Sequence, residues 1–395
     1  MSLFPFLPAA AFRLRPKKPA DDEAVAFVTV AGDKSQSVVL PFASGLAYLI
    51  APATRTPLAI TAEDFRVERL GVLASLWVEL RRKLLFKKKK YLNFAEFSLF
   101  SSGPKPERKR FTTFNQHLVS AGSALDGDLV ARRPELLNGW GDALPQPIEQ
   151  GQPRQESATA IVAHIYYEDT WPDIAGVLRQ LAIPFDLIVT TAPGRERLAE
   201  AIRTAFPFAE VRIVENRGRD VRPFLALLEE GRLDRYRYVC KIHGKKSSDS
   251  GRMPYMGALW RRRLLFDLLG APGVANEILA RFEREPKVGL VGSRVFRLPN
   301  RNYPEDLAWA GNRDVTLKLA ARMGIPPEAF RLDFFGGTMF WVRPEALNPL
   351  RRLRLADAFS DETGRVDGGL EHGIERLFGA AAIAAGYELG DVEGT

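Results

Sequence analysis

The sequence lacks the features of a disulfide-rich or membrane-spanning protein. Its single cysteine, Cys240, excludes an intrachain disulfide and any zinc site built from several cysteines. No stretch reaches the roughly 18 consecutive apolar residues that a membrane helix needs. Near the N-terminus the apolar residues precede the basic ones, which reverses the order of a secretory signal. We therefore expect a cytoplasmic protein, with peripheral attachment to the inner face of the cytoplasmic membrane as an option.

Net positive charge is confined to one segment. The 395 residues include 56 Lys and Arg against 48 Asp and Glu, a formal net charge of +8. Between Arg81 and Arg110 there are eleven basic and two acidic residues, so this segment alone accounts for the excess. The rest of the chain is nearly neutral and shows no extended cationic pattern, which argues against nucleic acid as a partner.

The length predicts two domains. Residues 145–157 are rich in Pro and Gln and contain one sizeable apolar side chain, Ile148, which is typical of a linker. We expect an N-terminal domain over residues 1–144 and a larger domain over residues 158–395.

The N-terminal domain carries a basic amphipathic element. Short strands are predicted over residues 24–30 and 37–41. A capping pattern at residues 61–64 precedes apolar positions at helical spacing, namely Leu73, Leu76, Trp77, Leu80 and Leu84. Two alternatives follow. Either this stripe packs in the domain core and its lysine-rich end is solvated, or the whole element docks on an anionic membrane.

In the second domain apolar runs alternate with helical patterns, which predicts an α/β fold with parallel strands and crossover helices. Strands are expected over residues 160–167, 185–191, 210–215 and 236–242, and helices over residues 173–181, 195–206 and 221–230. Ligands of such sheets bind at the carboxyl ends of the strands, and most of the motifs below sit at or just after a predicted strand.

The motif Asn216-Arg-Gly-Arg-Asp220 follows the third predicted strand. Arg217, Arg219 and Arg222 can bind anionic oxygen, and Asp220 can accept a hydrogen bond from a hydroxyl group. The alternative is a polar turn in which Asp220 caps the following helix.

A cationic segment, Lys241-Ile-His-Gly-Lys-Lys-Ser247, ends the fourth predicted strand. Strand alternation places Lys241 and His243 on the same side. Lys245, Lys246 and Ser247 then form a loop suited to binding a diphosphate. A solvated charge run is the alternative, but such runs seldom begin inside an apolar strand.

Two glycines, Gly336 and Gly337, precede Thr338 within an apolar, aromatic strand predicted over residues 334–342. Glycine there permits the close approach of a ligand or of another strand. His164, near the end of the first predicted strand, either lines the site or is a hydrogen-bonded core residue.

The C-terminal motif Asp367-Gly-Gly-Leu-Glu-His-Gly-Ile-Glu-Arg376 opens a helix and joins carboxylates to an imidazole. An ionised carboxylate or a neutral histidine within reach of substrate can act as a general base. Asp367, Glu371 and His372 are therefore the candidate catalytic residues, with helix capping by Asp367 as the alternative.

Six blocks in this order resemble the rhamnan synthesis protein F family, a bacterial polysaccharide-assembly family related to the GT-A glycosyltransferases. The blocks are His164-Ile-Tyr-Tyr with Trp171, Asn216 to Phe224, Cys240 to Ser247, Trp260-Arg, Gly337 to Trp341, and Asp367 to Arg376. The resemblance implies a GT-A-like Rossmann-type sheet flanked by helices. A smaller N-terminal α+β domain lies outside it.

By this resemblance a nucleotide-sugar donor lies near His164, Tyr166, Thr190 and Thr191, and Asp367 or Glu371 is the base. The other residues expected to contact the donor are Arg217, Arg219, Asp220, Lys241, His243, Lys245, Lys246, Ser247, Gly337 and Thr338.

GT-A enzymes commonly bind a divalent metal through an Asp-x-Asp motif after the fourth strand, where this sequence has Lys241 and His243. Ammonium groups can offset the charge on a departing nucleoside diphosphate as a metal would. We predict metal-independent transfer with no cofactor, while Mg²⁺ or Mn²⁺ stays open as the alternative. Inversion at the transferred sugar follows from the resemblance alone.

The expected function is transfer of a deoxyhexose such as L-rhamnose from a nucleotide-sugar to a growing cell-surface polysaccharide or lipopolysaccharide. The acceptor is expected to be a glycan or a lipid-linked glycan. The alternative is a non-catalytic GT-A-like subunit that binds glycan or organises an assembly complex, because a decayed enzyme would also lack Asp-x-Asp.

Overall fold

The computed structural model describes residues 10–17, 25–31, 36–41, 47–51, 59–61, 65–86, 92–93, 97–101, 129, 133, 135–140, 157–244, 254–300, 303–361 and 368–394. The chain forms two compact units. One comprises Met1–Leu137 with Ser247–Leu259, and the other comprises Asn138–Lys246 with Trp260–Thr395. Of the predicted linker, Ser157 alone belongs to the described residues.

The first unit contains two antiparallel sheets among its described residues. Its strands are β1 (Ala10–Pro16), β2 (Val25–Ala31), β3 (Gln36–Pro41), β4 (Ala47–Ala51), β5 (Ala59–Thr61), β6 (Phe65–Arg69), β7 (Leu92–Asn93) and β8 (Ser98–Ser101). The larger sheet has the order β6-β1-β4-β8-β7, and the smaller has the order β3-β2-β5. The two strands predicted from the sequence are confirmed as β2 and β3.

Helix α1 (Val72–Phe86) begins later than the capping pattern at residues 61–64 predicts. Thr61 ends β5, and Phe65–Arg69 forms β6, which pairs with β1. Residues 65–69 alternate apolar and charged side chains, and this period of two favours a strand. The predicted helix start is therefore wrong.

The inner side of α1 packs against the larger sheet. Val78 lies there in a buried cluster with Tyr48, Ile50 and Phe100. Four residues of the predicted apolar stripe point outward instead: Leu73, Leu76, Trp77 and Leu80. Their exposed fractions lie between 41% and 83%. The core-packing alternative is therefore wrong for these four residues.

The second unit is built on a seven-stranded mixed sheet with the order β11-β10-β9-β12-β16-β13-β17. The strands of this unit are β9 (Thr159–His164), β10 (Asp186–Thr191), β11 (Glu210–Ile213), β12 (Tyr238–His243), β13 (Val288–Ser293), β14 (Arg297–Leu298), β15 (Phe334–Phe335), β16 (Phe340–Val342) and β17 (Glu388–Val392). β14 and β15 pair in a separate two-stranded sheet. The four strands predicted in this region are confirmed as β9 to β12. β16 runs antiparallel to both neighbours, so the prediction of parallel strands holds only in part.

Helices flank this sheet, and the predicted α/β class is confirmed. The described helices after α1 are α2 (Glu135–Asn138), α3 (Trp171–Arg179), α4 (Glu196–Ala205), α5 (Val221–Glu229), α6 (Pro254–Leu265), α7 (Val274–Arg284), α8 (Glu305–Trp309), α9 (Arg313–Arg322), α10 (Asn348–Arg351), α11 (Leu370–Glu375) and α12 (Leu377–Ala384). The helices predicted over residues 173–181, 195–206 and 221–230 are confirmed as α3, α4 and α5. Within the described residues no helix has the length and apolar character needed to cross a membrane.

The strand order reverses at β9, because β10 and β11 extend the sheet on one side and β12 lies on the other. Open α/β sheets bind ligands at the carboxyl ends of the strands next to such a reversal. His164 and His243 stand opposite each other at the ends of β9 and β12, and Thr190 on β10 is opposite His164. Side chains of three strands therefore reach one edge.

The aromatic strand predicted over residues 334–342 is in fact two strands, β15 and β16, which belong to different sheets. The chain turns between them through Gly337 and Thr338, whose φ angles are +91° and +50°. Two successive residues with left-handed backbone are incompatible with an extended strand, so the single strand is wrong.

A buried ion pair ties the π-helical turn Phe266–Gly270 to the sheet. Arg263 Nε lies 3.0 Å from Asp267 Oδ1, and neither side chain is more than 1% exposed. Ser293 and the backbone N–H of Gly394 also donate to Asp267. Asp267 thereby holds the segment after β17 beside the end of β13.

We expect Asp267→Ala to lower the free energy of unfolding by about 3–5 kcal/mol, because it removes the buried counter-charge of Arg263 and leaves that guanidinium only the partly exposed Glu393 at 3.4 Å. Chemical denaturation followed by tryptophan fluorescence measures this loss. In the control, Glu285→Ala breaks an exposed Arg–carboxylate pair with the same i,i+4 spacing and should cost less than about 1 kcal/mol. Equal losses in the two variants would contradict the structural role of Asp267.

Candidate functional site

Four segments that the sequence singles out meet at the carboxyl ends of β9 and β12. They are the loop before α5, the end of β12, the turn between β15 and β16, and helix α11. Hydrogen bonds connect these segments in space: one between Thr338 and Asp220, one between His243 and Gly337, and one between Gly337 and Glu375. Because motifs far apart in the chain converge here, this edge is the candidate functional site.

The Lys241 ammonium forms the buried centre of the site. Its Nζ atom donates to Asp220 Oδ2 at 2.5 Å, to the Thr338 carbonyl at 2.8 Å and to Thr338 Oγ1 at 3.2 Å. Three rings have their centroids between 5.7 and 6.0 Å from Nζ: those of Phe224, Phe340 and Phe378. The side chain is 2% exposed. The prediction that Lys241 meets a diphosphate is corrected, because its charge is directed at Asp220 inside the protein.

Asp220 occupies the N-cap position of α5, but its side chain makes no capping hydrogen bond. Its Oδ2 atom accepts from Lys241 and from the Thr338 hydroxyl, both at 2.5 Å, and lies 3.7 Å from His243 Nε2. Burial alone would raise the pKa of Asp220, but His243, Lys241 and Thr338 together lower it below its usual value. Burial lowers the pKa of Lys241, and Asp220 opposes that effect. Because the Asp220 side chain makes no capping hydrogen bond, the alternative in which it caps α5 is wrong.

Backbone strain accompanies these contacts. Thr338 is β-branched, and such residues rarely adopt its φ of +50°. Gly337 connects two segments, since its carbonyl lies 2.7 Å from His243 Nε2 and its N–H donates to Glu375 Oε1 at 2.8 Å. Strained backbone among converging polar groups is frequent at functional sites.

A carboxylate and an imidazole face each other at the start of α11. His372 Nδ1 lies 3.2 Å from Glu371 Oε1, and His372 Nε2 lies 3.0 Å from Arg219 Nη1. A guanidinium can only donate, so Nε2 accepts and the ring proton is on Nδ1. The Glu371 and His372 side chains are 15% and 12% exposed, so a ligand can reach them whereas it cannot reach Lys241.

His164 and Thr190 form a second polar pair at this edge, with 3.0 Å between His164 Nδ1 and Thr190 Oγ1. Burial lowers the pKa of His164 to about 4, so its ring is neutral near pH 7. Thr191, also predicted near the donor, donates to the Ile165 carbonyl and is fully buried. Thr191 therefore links two strand ends inside the protein, and its predicted contact with a ligand is corrected.

The arginines around the Asn216–Asp220 motif point in different directions. Arg217 pairs with Glu215, whose carboxylate raises the pKa of the guanidinium. Arg222 donates to the Ala356 carbonyl. Arg219, with a φ of +53°, reaches α11. Arg217 thus forms a surface ion pair, and its contact with a diphosphate stays a prediction.

The predicted site also includes Tyr166 and four residues that the structure does not describe. Tyr166 is partly buried, and the Arg195 guanidinium lies 5.3 Å from its ring centroid. Four predicted residues lie outside the described part of the chain: Lys245, Lys246, Ser247 and Asp367. In the part that is described, no group of three His, Cys, Asp or Glu residues could hold a metal ion. Metal-independent transfer stays a prediction.

Two features of the site went beyond the sequence motifs. The three phenylalanine rings around Lys241 come from α5, β16 and α12, and no local sequence pattern connects these elements. Glu375 belongs to a predicted motif, but its role as acceptor for Gly337 depends on the fold. The sequence did contain one indication of the buried ion pair. Lys241 lies in an apolar strand, and a fully buried strand tolerates a charge only when a partner neutralises it.

Comparison with known proteins bears directly on this set of motifs. The family model described as rhamnan synthesis protein F matches residues 142–387, more than half of the chain. The chain belongs to the rhamnan synthesis protein F family. This confirms the resemblance drawn from the six sequence blocks, and membership implies a part in polysaccharide biosynthesis.

This rhamnan synthesis protein F family member is also similar to a protein described as uncharacterized protein WxcX in two strains of Xanthomonas campestris pv. campestris, B100 and ATCC 33913. Each WxcX sequence is 32% identical to it over 240 residues, which cover 60% of this chain and 33% of WxcX. The chain therefore matches about a third of the length of these relatives.

The buried pair predicts a non-additive double-mutant cycle. Asp220→Asn and Lys241→Met should each lower the free energy of unfolding by about 3–5 kcal/mol, because each leaves the other charge buried without its partner. The double variant should lose less than the sum of the two, since neither charge remains. Chemical denaturation monitored by tryptophan fluorescence measures all three losses.

The exposed pair Arg351–Asp234 provides the control for this cycle. Asp234→Asn and Arg351→Met should each cost less than about 1 kcal/mol and should be additive within about 0.5 kcal/mol. Additive losses in the buried pair as well would contradict the coupling of Asp220 to Lys241.

Proposed function

We propose that this member of the rhamnan synthesis protein F family is an inverting glycosyltransferase of the GT-A type. It moves a sugar, such as L-rhamnose or another deoxyhexose, from a nucleotide-sugar to a growing cell-surface polysaccharide or lipopolysaccharide. The reaction is proposed to occur on the cytoplasmic side, on a glycan or lipid-linked glycan acceptor, and without a metal.

The position of the Glu371–His372 pair carries this proposal. The pair is reachable from solvent and is joined by Arg219 to the loop before α5. It belongs to the edge beside the strand-order reversal, which is where α/β sheets bind their ligands. A carboxylate beside an imidazole suits the general base that activates a hydroxyl nucleophile.

In the proposed reaction Glu371 takes the proton of an acceptor hydroxyl. The hydroxyl oxygen forms a bond to the anomeric carbon of the donor sugar while the bond from that carbon to the diphosphate oxygen breaks. The nucleoside diphosphate leaves with the bonding electrons, and the proton stays on Glu371 until solvent removes it. His372 lies beside this carboxylate, with 3.2 Å between its Nδ1 atom and Glu371 Oε1.

Lys245 and Lys246 are assigned to the negative charge on the leaving diphosphate. They follow Gly244 directly in the chain, and the Gly244 N–H donates to the His164 carbonyl at 2.9 Å. The segment that carries them therefore begins between the ends of β9 and β12. Ammonium groups at this edge would stabilise charge that develops as the bond to the sugar breaks.

A non-catalytic glycan-binding or scaffold subunit is the second candidate function. The observation that favours it is the Lys241–Asp220 pair, which lies where GT-A enzymes commonly carry Asp-x-Asp and whose charges neutralise each other inside the protein. Such a subunit would bind glycan at the same edge and would not turn over a donor.

Glu371→Gln should lower kcat for sugar transfer by about 10²–10⁴-fold, because an amide cannot take the proton from the acceptor. Glutamine has nearly the same size and shape as glutamate, so the KM for the donor should change little. Release of nucleoside diphosphate in the presence of acceptor glycan measures both quantities. Glu328→Gln removes an exposed carboxylate elsewhere and should keep full activity. An unchanged kcat in Glu371→Gln would show that another residue is the base.

A thermal-shift panel of nucleoside diphosphates and their sugars tests donor binding. One member should raise Tm by roughly 5 °C at a hundredfold excess over its Kd. Lys245→Ala combined with Lys246→Ala should abolish this rise, because both cations proposed for the diphosphate are removed. Lys287→Ala combined with Lys318→Ala removes two exposed lysines elsewhere and should leave the rise intact.

The same protein tests metal dependence, since EDTA should leave donor turnover unchanged. Turnover that is lost in EDTA and restored by Mn²⁺ would overturn the metal-independent mechanism. A panel in which no nucleotide changes Tm would support the scaffold function instead.

A further inference from the structure

Helix α1 presents an apolar surface to solvent. Its exposed residues up to Leu80 are all apolar, and together they form what we term the α1 apolar face: Val72, Leu73, Leu76, Trp77 and Leu80. Their exposed fractions are 68%, 83%, 41%, 51% and 59%. The residues buried on the opposite side are Ser75, Val78 and Glu79.

This distribution reverses the ordinary pattern of a helix that packs on a sheet. Such a helix turns its apolar residues inward and its polar residues to water. Here a serine and a glutamate occupy the inner side while five large apolar side chains meet water. Exposed apolar groups that form a continuous surface mark interaction sites, because covering them releases hydrophobic free energy.

Cationic residues continue directly from this face. The Arg81 guanidinium lies 5.0 Å from the centre of the Trp77 ring. The sequence then adds Arg82, Lys83 and the run Lys87–Lys90, and it contains no acidic residue between Glu79 and Glu96. An apolar surface bordered by this much positive charge suits a partner that is both apolar and anionic.

We propose that the α1 apolar face docks this protein on a lipid bilayer that contains anionic phospholipid. The helix lies in the interface, with its leucines and Trp77 among the acyl chains and its basic residues at the headgroups. With 15 residues it is too short to cross the bilayer. A second copy of the same face would set one cationic segment against another, and this repulsion disfavours self-association.

The proposal is independent of glycosyl transfer and can be tested on the whole chain by vesicle flotation. The protein should float with vesicles of phosphatidylcholine and phosphatidylglycerol and bind poorly to phosphatidylcholine alone. Leu73→Gln combined with Leu76→Gln and Leu80→Gln should weaken binding at least about tenfold, because the buried apolar area is lost. Neutralising Lys87–Lys90 to Gln should weaken it to a similar degree, because the attraction to anionic headgroups is lost.

A matched control removes exposed apolar side chains from the second unit. Leu307 and Ile383 are 55% and 46% exposed, so Leu307→Gln combined with Ile383→Gln alters comparable side chains on α8 and α12 and leaves α1 unchanged. This control should float like the wild type. Since the substituted α1 leucines are exposed, their variant should keep the Tm of the wild type, which separates lost docking from lost folding.

Three results would overturn the proposal. The wild type could fail to float with anionic vesicles. The leucine variant could float as well as the wild type. Sedimentation could reveal a dimer that the leucine variant abolishes while vesicles go unbound, which would assign the face to a second copy of the chain.

Discussion

The need to neutralise one buried ammonium organises the second unit. Lys241 is on a strand whose residues are all buried, where an unpaired charge would be prohibitively costly. Its three donors are matched by the Asp220 carboxylate and by the carbonyl and hydroxyl oxygens of Thr338. These acceptors come from two separate segments, so satisfying this charge fixes both the start of α5 and the turn between β15 and β16. The net stability that such a pair contributes is small, because desolvation offsets most of the attraction between its charges.

That arrangement separates two kinds of polar group. The Lys241 ammonium lies out of reach of solvent, whereas its partner Asp220 and the α11 residues Glu371 and His372 remain partly accessible. Connections from Arg219 to His372 and from Gly337 to Glu375 hold the accessible groups in register with the buried ones. The motifs thus have different roles: some stabilise the edge of the sheet, and others are accessible to a ligand that binds there.

The sequence predicted best where a physical pattern repeats locally. Strands β9 to β12 and the helices between them follow from alternating apolar runs, and the motif clusters follow from residues at the strand ends. Prediction from the sequence failed where contacts between residues distant in the chain determine the local structure. Asp220 has the position of a helix cap, and its partner Lys241 is distant in sequence. The turn at Gly337 is formed by residues whose composition also suits a strand. On α1 the periodicity was correct, but spacing alone cannot tell which side of a helix faces the sheet.

The left-handed backbone at Thr338 narrows the evolutionary choices at that position. Glycine would adopt this conformation without strain but would leave Asp220 and Lys241 without the hydroxyl group between them. Aspartate tolerates the conformation but would bring a second carboxylate against Asp220. Serine keeps the hydroxyl group and removes the branched methyl group, so it is the exchange most compatible with both demands. Few substitutions of Thr338 are therefore compatible with this site. Glycine and aspartate would each require a compensating change at Asp220 or Lys241.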